Sequence, residues 1–352
     1  MGGATLAGVS NLERDPAARV LRDIPAPTAV EVISPREVPL GGPRAMTVRR
    51  TIPHRQRSLI GAWCFADHYG PDNVAASGGM DVAPHPHMGL QTVSWLFEGE
   101  IEHIDSGGGR GLVRPGDVNF MTSGHGVCHS ETSTVRASTL HGVQLWVVLP
   151  NTARDTAPRA FEHFTPSEVM LGPSGFPTAL LRVFVGELHG ERSPITTYSP
   201  LVGAQLRVAP GAEVTLEVNA GFEHGLLVDA TGLVLEGVHL SAGELGYTGV
   251  GETSLRIANT TQEWVYAILI GGAPFDEEIV MWWNFVARDF EEIVRARDEW
   301  QKRSSRFGHV DGYVGHGGPG VNRDGMSWLP APELPRGTIR PRRSPGPVAR
   351  EM

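Results

Sequence analysis

The sequence predicts an all-β protein made of two antiparallel barrels in tandem, with one helix towards the C-terminal end. The 352 residues include 44 glycines and 27 prolines, which separate short apolar segments of strand length, a texture typical of barrels and sandwiches. The pattern of short apolar segments between glycine and proline turns stops after Pro150 and returns between residues 161 and 273, which indicates a second barrel of the same type. From residue 276 the apolar residues recur at helical spacing instead.

Changes in composition divide the chain into five segments. Residues 1–27 show no sustained period, and we expect a leader that is disordered or lies over the body of the protein. Residues 28–150 form the first barrel and residues 151–275 the second, while residues 276–303 form a helix packed on a barrel. Residues 304–352 are a tail rich in glycine, proline and arginine, from which we expect a contribution to solubility at most.

Strand and turn signals alternate throughout the first barrel. Segments 29–33 and 46–52 have strand-like patterns and are separated by the Pro-Leu-Gly-Gly-Pro turn at 39–43. The glycine-rich turn at 106–111 is not a phosphate-binding loop, because no helix follows it. The apolar segment 142–149 then predicts a strong closing strand.

The strongest functional signal is a pair of two-residue patterns in the first barrel. His85 and His87 lie in Pro-His-Pro-His-Met-Gly, and His129 and Glu131 lie 44 positions further on with the same spacing. Residues i and i+2 of a strand point to the same side. We therefore expect three imidazoles and one carboxylate to converge on one point inside the barrel.

Such a set of side chains has the chemistry of a metal site. Neutral imidazole suits iron, copper, nickel and zinc, and three nitrogens with one carboxylate leave two positions of an octahedral site open. Zinc would tend to close its coordination at four ligands. A single His-x-His pattern is often only a core or surface pair, and the second pair is what favours a metal.

Four residues after the first histidine pair are candidate substrate-pocket residues. If the strand continues past His87, then Gln91, Val93, Trp95 and Phe97 share the face of the histidines. The three apolar side chains then offer a wall for a flat aromatic substrate, or they are simply core. The amide of Gln91 then hydrogen-bonds a metal-bound water or a substrate, or else a neighbouring backbone group.

Other histidines and one cysteine carry weaker signals. We expect His103 to be an ordinary strand histidine, His125 an exposed loop residue without a role, and Cys128 a small buried apolar side chain. The second barrel has no His-x-His pattern, and we expect it to lack a metal. Its isolated histidines are His189, His224 and His239.

Charge and composition exclude several functional classes. The 30 basic and 39 acidic residues leave a net charge of −9, which disfavours direct binding to nucleic acid. Only two cysteines are present, and the residues through Arg19 lack the apolar segment of a secretory signal. The strongest apolar run, residues 264–270, is far shorter than the roughly 20 residues of a membrane helix. We expect a soluble cytoplasmic protein without membrane or nucleic-acid partners, and the sequence indicates no oligomeric state.

Two motifs resemble the metal-binding signature of the pirin family. They are His-Pro-His-x-Gly at 85–89 and Met-Thr-Ser-Gly-x-Gly-Val-x-His-Ser-Glu at 121–131. The resemblance extends over about residues 40–300 and includes the Leu-Trp-Val-x-Leu-Pro run at 145–150 and the helix expected to open at 277–281. Pirins are bicupins, so the resemblance implies two cupin barrels of the double-stranded β-helix, or jelly-roll, type.

The resemblance also implies a ligand set and a metal. His85, His87, His129 and Glu131 match the four family ligands of one Fe(II) ion, although nickel, copper, manganese or zinc remain possible on ligand chemistry. The chain departs from many pirins at two positions. It has Gln91 where they carry glutamate, and His125 where they carry arginine. Neither position is a family ligand.

Two functions follow from the resemblance. In the first, the protein is an enzyme, a quercetin 2,3-dioxygenase that cleaves the ring of a flavonol, with Glu131 as ligand and general base for the substrate hydroxyl. In the second, it is a non-catalytic iron-binding regulator whose redox state changes its affinity for a protein partner. The partner is thus a small aromatic substrate or a regulatory protein, and the sequence does not decide between them.

Overall fold

A computed structural model describes residues 30–40 and 46–343 of the chain. The predicted leader, residues 1–27, lies outside these residues, as does the end of the tail from 344 to 352. The predicted all-β architecture of two barrels and a C-terminal helix is confirmed, and the strands of every sheet pair in antiparallel fashion.

The first barrel consists of a seven-stranded sheet facing a four-stranded sheet. A one-turn helix, α1 (Val74–Ser77), lies between the strands Trp63–Asn73 and Asp81–His87. The strands of the first part of the chain are β1 Glu31–Ile33, β2 Arg36–Leu40, β3 Met46–Ile52, β4 Trp63–Asn73, β5 Asp81–His87, β6 Leu90–Glu98, β7 Ile101–Asp105, β8 Arg110–Val113, β9 Val118–Thr122, β10 Val127–Ser133 and β11 Thr139–Val148.

The second barrel repeats this plan with an eight-stranded and a four-stranded sheet. Its interior is packed with aliphatic side chains such as Leu181, Leu226 and Leu269. The strands that follow are β12 Ala160–Phe164, β13 Val169–Leu171, β14 Ala179–Leu188, β15 Glu191–Arg192, β16 Leu201–Val208, β17 Glu213–Glu217, β18 Glu223–Val228, β19 Leu233–Leu235, β20 Val238–Leu240, β21 Leu245–Thr248, β22 Ser254–Asn259 and β23 Val265–Gly272.

The two barrels exchange one edge strand each. Strand β1, expected in the first barrel, pairs with β21 of the second, with Val32 opposite Gly246. Strand β12, expected in the second barrel, pairs with β9 of the first, with Phe161 opposite Met121. The predicted boundary at residue 150 therefore divides the sequence, but each half of the sequence contributes one strand to the other barrel. An edge strand can pair with any exposed strand edge that lies next to it, whatever its position in the sequence.

The C-terminal helix is shorter than the predicted segment 276–303. Helix α2 spans Phe290–Gln301, and Asp289 caps its start by accepting a hydrogen bond of 2.8 Å from the Glu292 amide. The preceding residues form a hairpin of β24 (Val280–Trp282) and β25 (Phe285–Ala287). The aromatic residues of this hairpin are buried in the core of the first barrel. In the sequence, the spacing of these residues fits a helical turn as well as a tight hairpin.

The tail packs on the first barrel rather than serving only solubility. Phe307 is fully buried, the Leu329 amide donates to the carbonyl of Pro84 at 2.9 Å, and Tyr313 Oη hydrogen-bonds Asp81 at 3.0 Å. A small hairpin of β26 (Val314–Gly315) and β27 (Gly318–Pro319) lies within it. A few apolar side chains among the glycines and prolines are enough to anchor this segment along β5.

In the described part of the chain, neither helix is long and apolar enough to cross a membrane.

A histidine–aspartate–histidine contact joins the barrels. Asp229 of the second barrel accepts hydrogen bonds from Nε2 of His68 at 2.8 Å and Nε2 of His141 at 2.6 Å. The Arg49 guanidinium donates to Nδ1 of His68 at 3.2 Å, so His68 carries its proton on Nε2. Burial alone would raise the pKa of Asp229, but the hydrogen bonds from His141 and His68 outweigh it and hold this pKa below the usual value.

We expect the Asp229→Asn substitution to lower the free energy of unfolding by about 1–3 kcal/mol, since it removes the negative charge from the one carboxylate oxygen that accepts hydrogen bonds from both histidines. Denaturant unfolding of the purified variant measures the loss. The control is Asp311→Asn, whose side chain is 97% exposed. Equal stability of the Asp229 variant and the parent would contradict a stabilising role for this contact.

Candidate metal centre

Three buried histidines meet inside the first barrel. His85 and His129 are cross-strand neighbours in the pairing of β5 with β10, and His87 lies two residues further along β5. The Nε2 atoms of His87 and His129 are 3.0 Å apart, and the ring centroids of His85 and His129 are 4.4 Å apart. Ring nitrogens of all three lie within 4.8 Å of one another, so they form one group of possible metal ligands.

The carboxylate of Glu131 lies beside this group. It belongs to a second cluster of possible ligands, with His103 and His129, and not to the cluster of three histidines. Its Oε1 accepts a hydrogen bond of 2.8 Å from Ser94 Oγ, and Gln144 also hydrogen-bonds the carboxylate. The pairing register of β10 with β5 shifts between His129 and Glu131. This shift accompanies the displacement of the Glu131 carboxylate from the group of three histidines.

His103, expected to be an ordinary strand histidine, touches the centre. Its Nδ1 is 3.1 Å from Nδ1 of His129, and its Nε2 is 3.1 Å from Oδ2 of Asp105. The other oxygen of Asp105 accepts from the amides of Gly107 and Gly109. His103 and Asp105 have the same i, i+2 spacing as the predicted ligands, and that spacing is the signal by which the sequence could have identified them.

This chain of hydrogen bonds selects the tautomer of His129. The Asp105 carboxylate only accepts, so an imidazole ring of His103 that carries one proton donates from Nε2 and accepts at Nδ1. His129 then donates from Nδ1, and its Nε2 keeps a free lone pair directed towards His87. Histidine ligands of metals are commonly oriented through their second nitrogen in this way.

The protonation states of the centre fit a divalent metal. Burial lowers the pKa of His85 to about 4 and lowers those of His87 and His129 well below the usual value. The three imidazoles are therefore neutral at pH 7, with lone pairs available. Burial raises the pKa of Glu131, against opposing contributions that include the Ser94 hydrogen bond. Neutral imidazoles beside one carboxylate are a suitable donor set for a first-row transition metal.

The predicted aromatic wall on β6 faces away from the histidines. The ring of Trp95 stacks on Phe184 of the second barrel at 4.9 Å, and its Nε1 donates to Gln205 at 2.9 Å. Phe97 stacks on Tyr266 of the second barrel at 4.8 Å. The expectation that these side chains share the face of the histidine pair is corrected by these contacts.

Gln91 and Val93 lie on the same outward face of β6. Gln91 Nε2 donates to Thr122 Oγ1 at 2.8 Å and to the carbonyl of Thr196 at 3.1 Å. The physical reason is a break at Gly89, whose φ of 71° interrupts the extended chain. Strand β5, before Gly89, belongs to the four-stranded sheet, and strand β6, after it, belongs to the seven-stranded sheet. The alternation of side-chain directions along β5 therefore does not continue into β6.

Other side chains face the centre instead. Ser94, of opposite parity on β6, points to Glu131, and the ring of Trp146 lies 5.1 Å from that of His87 in an edge contact. Phe65 of β4 stacks on Trp146 at 4.0 Å. Tyr69, four residues further along β4, is fully buried, and its hydroxyl has no hydrogen-bond partner in the described part of the chain.

The remaining sequence-predicted residues lie apart from the centre or behave as packing groups. Cys128 is buried, and burial raises the pKa of its thiol to about 11. In the described residues, His189, His224 and His239 belong to no group of three possible metal ligands. That the second barrel lacks a metal stays a prediction.

Each barrel matches the model of a known protein family. Residues 45–147 match the family model described as Pirin, and residues 203–308 match the one described as Pirin C-terminal cupin domain. The two matches together cover more than half of the chain.

Individual proteins agree with these matches. A Pseudomonas aeruginosa protein named putative quercetin 2,3-dioxygenase is 42% identical over 283 residues, which cover 80% of this chain and 87% of that protein. A pirin-like protein of Caulobacter vibrioides is 32% identical over 75% of this chain and 91% of its own length. The crystal structure of a quercetin 2,3-dioxygenase from Acinetobacter baumannii superposes with a TM-score of 0.78 at 34% identity, covering 89% of this chain and 97% of that one.

We expect the His129→Ala variant to lose most of its bound metal, since it removes one of three clustered nitrogens. We expect His103→Ala to bind metal roughly 10–100-fold more weakly, because His129 loses the partner that orients it. Elemental analysis of the purified proteins gives the metal content, and competition with a chelator gives the affinity.

The matched control is His239→Ala, which removes an exposed histidine of the second barrel. Its metal content should equal that of the parent. Full occupancy in the His129 variant would remove that residue from the site, and parent affinity in the His103 variant would remove the orienting role.

Proposed function

Because this chain belongs to the pirin family, we propose that it is a metal-dependent dioxygenase that cleaves the ring of a flavonol such as quercetin. The observation that carries the proposal is the group of three neutral, buried imidazoles beside the carboxylate of Glu131. The names of the relative and of the solved structure given above support the substrate class.

His85, His87, His129 and Glu131 are the residues that would hold the ion in this proposal. Fe(II) is the metal that we expect, while nickel, copper, manganese and zinc also suit the same donors. Such an ion supplies Lewis acidity for the oxygen atoms of the substrate and a centre for redox chemistry.

Glu131 has a second proposed role as general base. A carboxylate within hydrogen-bond reach of a substrate hydroxyl can take its proton. Ser94 and Gln144 hydrogen-bond the carboxylate and limit its rotation. A flavonol hydroxyl placed beside Glu131 would transfer its proton to the oxygen atom that is not held by Ser94.

Tyr69 is the proposed hydrogen-bond donor to the substrate. Burial, together with the carboxylates of Glu131 and Asp67, raises the pKa of this phenol well above its usual value, so it stays protonated. Its hydroxyl is buried without a partner, and an unpaired buried hydroxyl costs about 1–3 kcal/mol. A substrate oxygen near Glu131 would satisfy it.

We expect the iron-loaded parent protein to consume quercetin under air and the Glu131→Gln variant to lose this turnover. Glutamine keeps the shape of the side chain but cannot accept the proton, and without the negative charge it should also hold the ion less firmly. Loss of flavonol absorbance measures turnover, and elemental analysis of the same samples measures metal retention.

The control is Glu187→Gln, which removes a half-exposed carboxylate of the second barrel. Parent-like turnover in the Glu131 variant would show that this residue is neither an essential ligand nor the base. No turnover by the metal-loaded parent would contradict the flavonol proposal and favour the alternative of an iron-binding regulator with a protein partner.

We expect Tyr69→Phe to lower kcat for quercetin by about 10-fold or more while leaving the metal content unchanged, because it removes a hydrogen bond to the substrate without touching a ligand. Steady-state kinetics and elemental analysis separate the two effects. Unchanged kinetics would show that the buried hydroxyl does not contact the substrate.

A further inference from the structure

A cleft lies on the outside of the first barrel, next to but separate from the candidate metal centre. Its volume of about 340 Å³ is within the range of small-molecule sites. Met88 and Gly89 form one side, and the α2 helix and the start of the tail form another. None of the four proposed metal ligands lines it.

Three arginines line this cleft against two carboxylates, Asp155 and Glu292. Arg154 is already neutralised, because its guanidinium donates two hydrogen bonds to Glu292, at 2.6 and 2.9 Å. This pairing raises the pKa of Arg154 and lowers that of Glu292. Arg154 therefore has little capacity left for a ligand, and the other two arginines determine what the cleft can bind.

Arg306 has a donor without a good acceptor. Its Nη1 pairs with Glu299 at 2.7 Å, and its Nε donates to the carbonyl of His125 at 2.9 Å. Its Nη2, however, faces the thioether sulphur of Met88 at 3.2 Å. A thioether is a weak acceptor, so an oxygen anion entering the cleft would be a better partner for this N–H group.

Arg295 on the outer face of α2 is the third arginine. Its guanidinium interacts electrostatically with Glu292, whose pKa it helps to lower, but it makes no hydrogen bond and no ion pair within 4.0 Å in the described part of the chain. With Glu299 paired to Arg306, the three arginines face three carboxylates, so the cleft offers N–H donors that lack a good acceptor rather than an excess of positive charge. Guanidinium groups bind carboxylates and phosphates through paired N–H donors.

We propose that this cleft binds a small organic anion whose carboxylate or phosphate group pairs with Arg295 and with the Nη2 group of Arg306. The apolar part of the ligand would lie against Met88 and Val286, which supply the apolar lining. The exposed ring of His125 stands at the rim, 3.6 Å from Asp155. This site goes beyond the proposed oxygenase function and does not depend on the metal.

The experiment is isothermal titration calorimetry of the full chain at low ionic strength with benzoate, its neutral analogue benzamide, and inorganic phosphate. Benzoate should bind and benzamide should not, because the two share a ring and differ in charge. Arg295→Gln should weaken the binding of benzoate at least 10-fold. Arg295 is exposed, so the variant should keep the melting temperature of the parent.

The matched control is Arg192→Gln, which removes the same charge from an exposed arginine on β15, paired there with Glu187. It should bind benzoate as the parent does. Binding of benzoate or of phosphate that depends on Arg295 supports the site and assigns the anionic group. Equal binding of benzoate and benzamide, equal weakening in both arginine variants, or binding of neither anion overturns it.

Discussion

The alternation of side chains across the seven-stranded sheet of the first barrel is the constraint on which both the site and the assembly of the barrels depend. On β6, Ser94 points inward to the carboxylate of Glu131, and its neighbour Trp95 points outward to the second barrel. On β4, Tyr69 is part of the first core, and its neighbour His68 binds Asp229 of the second barrel. A slip of one residue in the register would move every one of these groups to the wrong face.

Local features of the sequence were sufficient for much of this arrangement. The two-residue spacing of the histidine pairs is preserved by any strand, and the antiparallel pairing of β5 with β10 places His85 opposite His129. Strand continuity, by contrast, is not a local property. The positive φ of Gly89 moves the chain into another sheet, and for this reason Val93 and its neighbours on β6 do not face the histidines.

Tertiary contacts decided the features that the sequence did not reveal. The hairpin before α2 is held by the Val286 amide, which donates to the carbonyl of Met88 at 3.1 Å. These two residues are far apart in the sequence, so no local pattern predicts the contact. The tail is ordered by single anchors such as Phe307 rather than by a periodic apolar face. His103 was overlooked because its role is defined by His129 and Asp105 on either side of it.

The exchange of β1 and β12 has a consequence for how the molecule unfolds. Each is an edge strand, so its departure would expose a new row of unpaired backbone groups on the barrel that it completes. We therefore expect that loosening one half of the chain weakens the other half, so that the unfolding of the two barrels is coupled. A protease cut between them would leave the fragments associated through their borrowed strands, as two chains that still make up one fold.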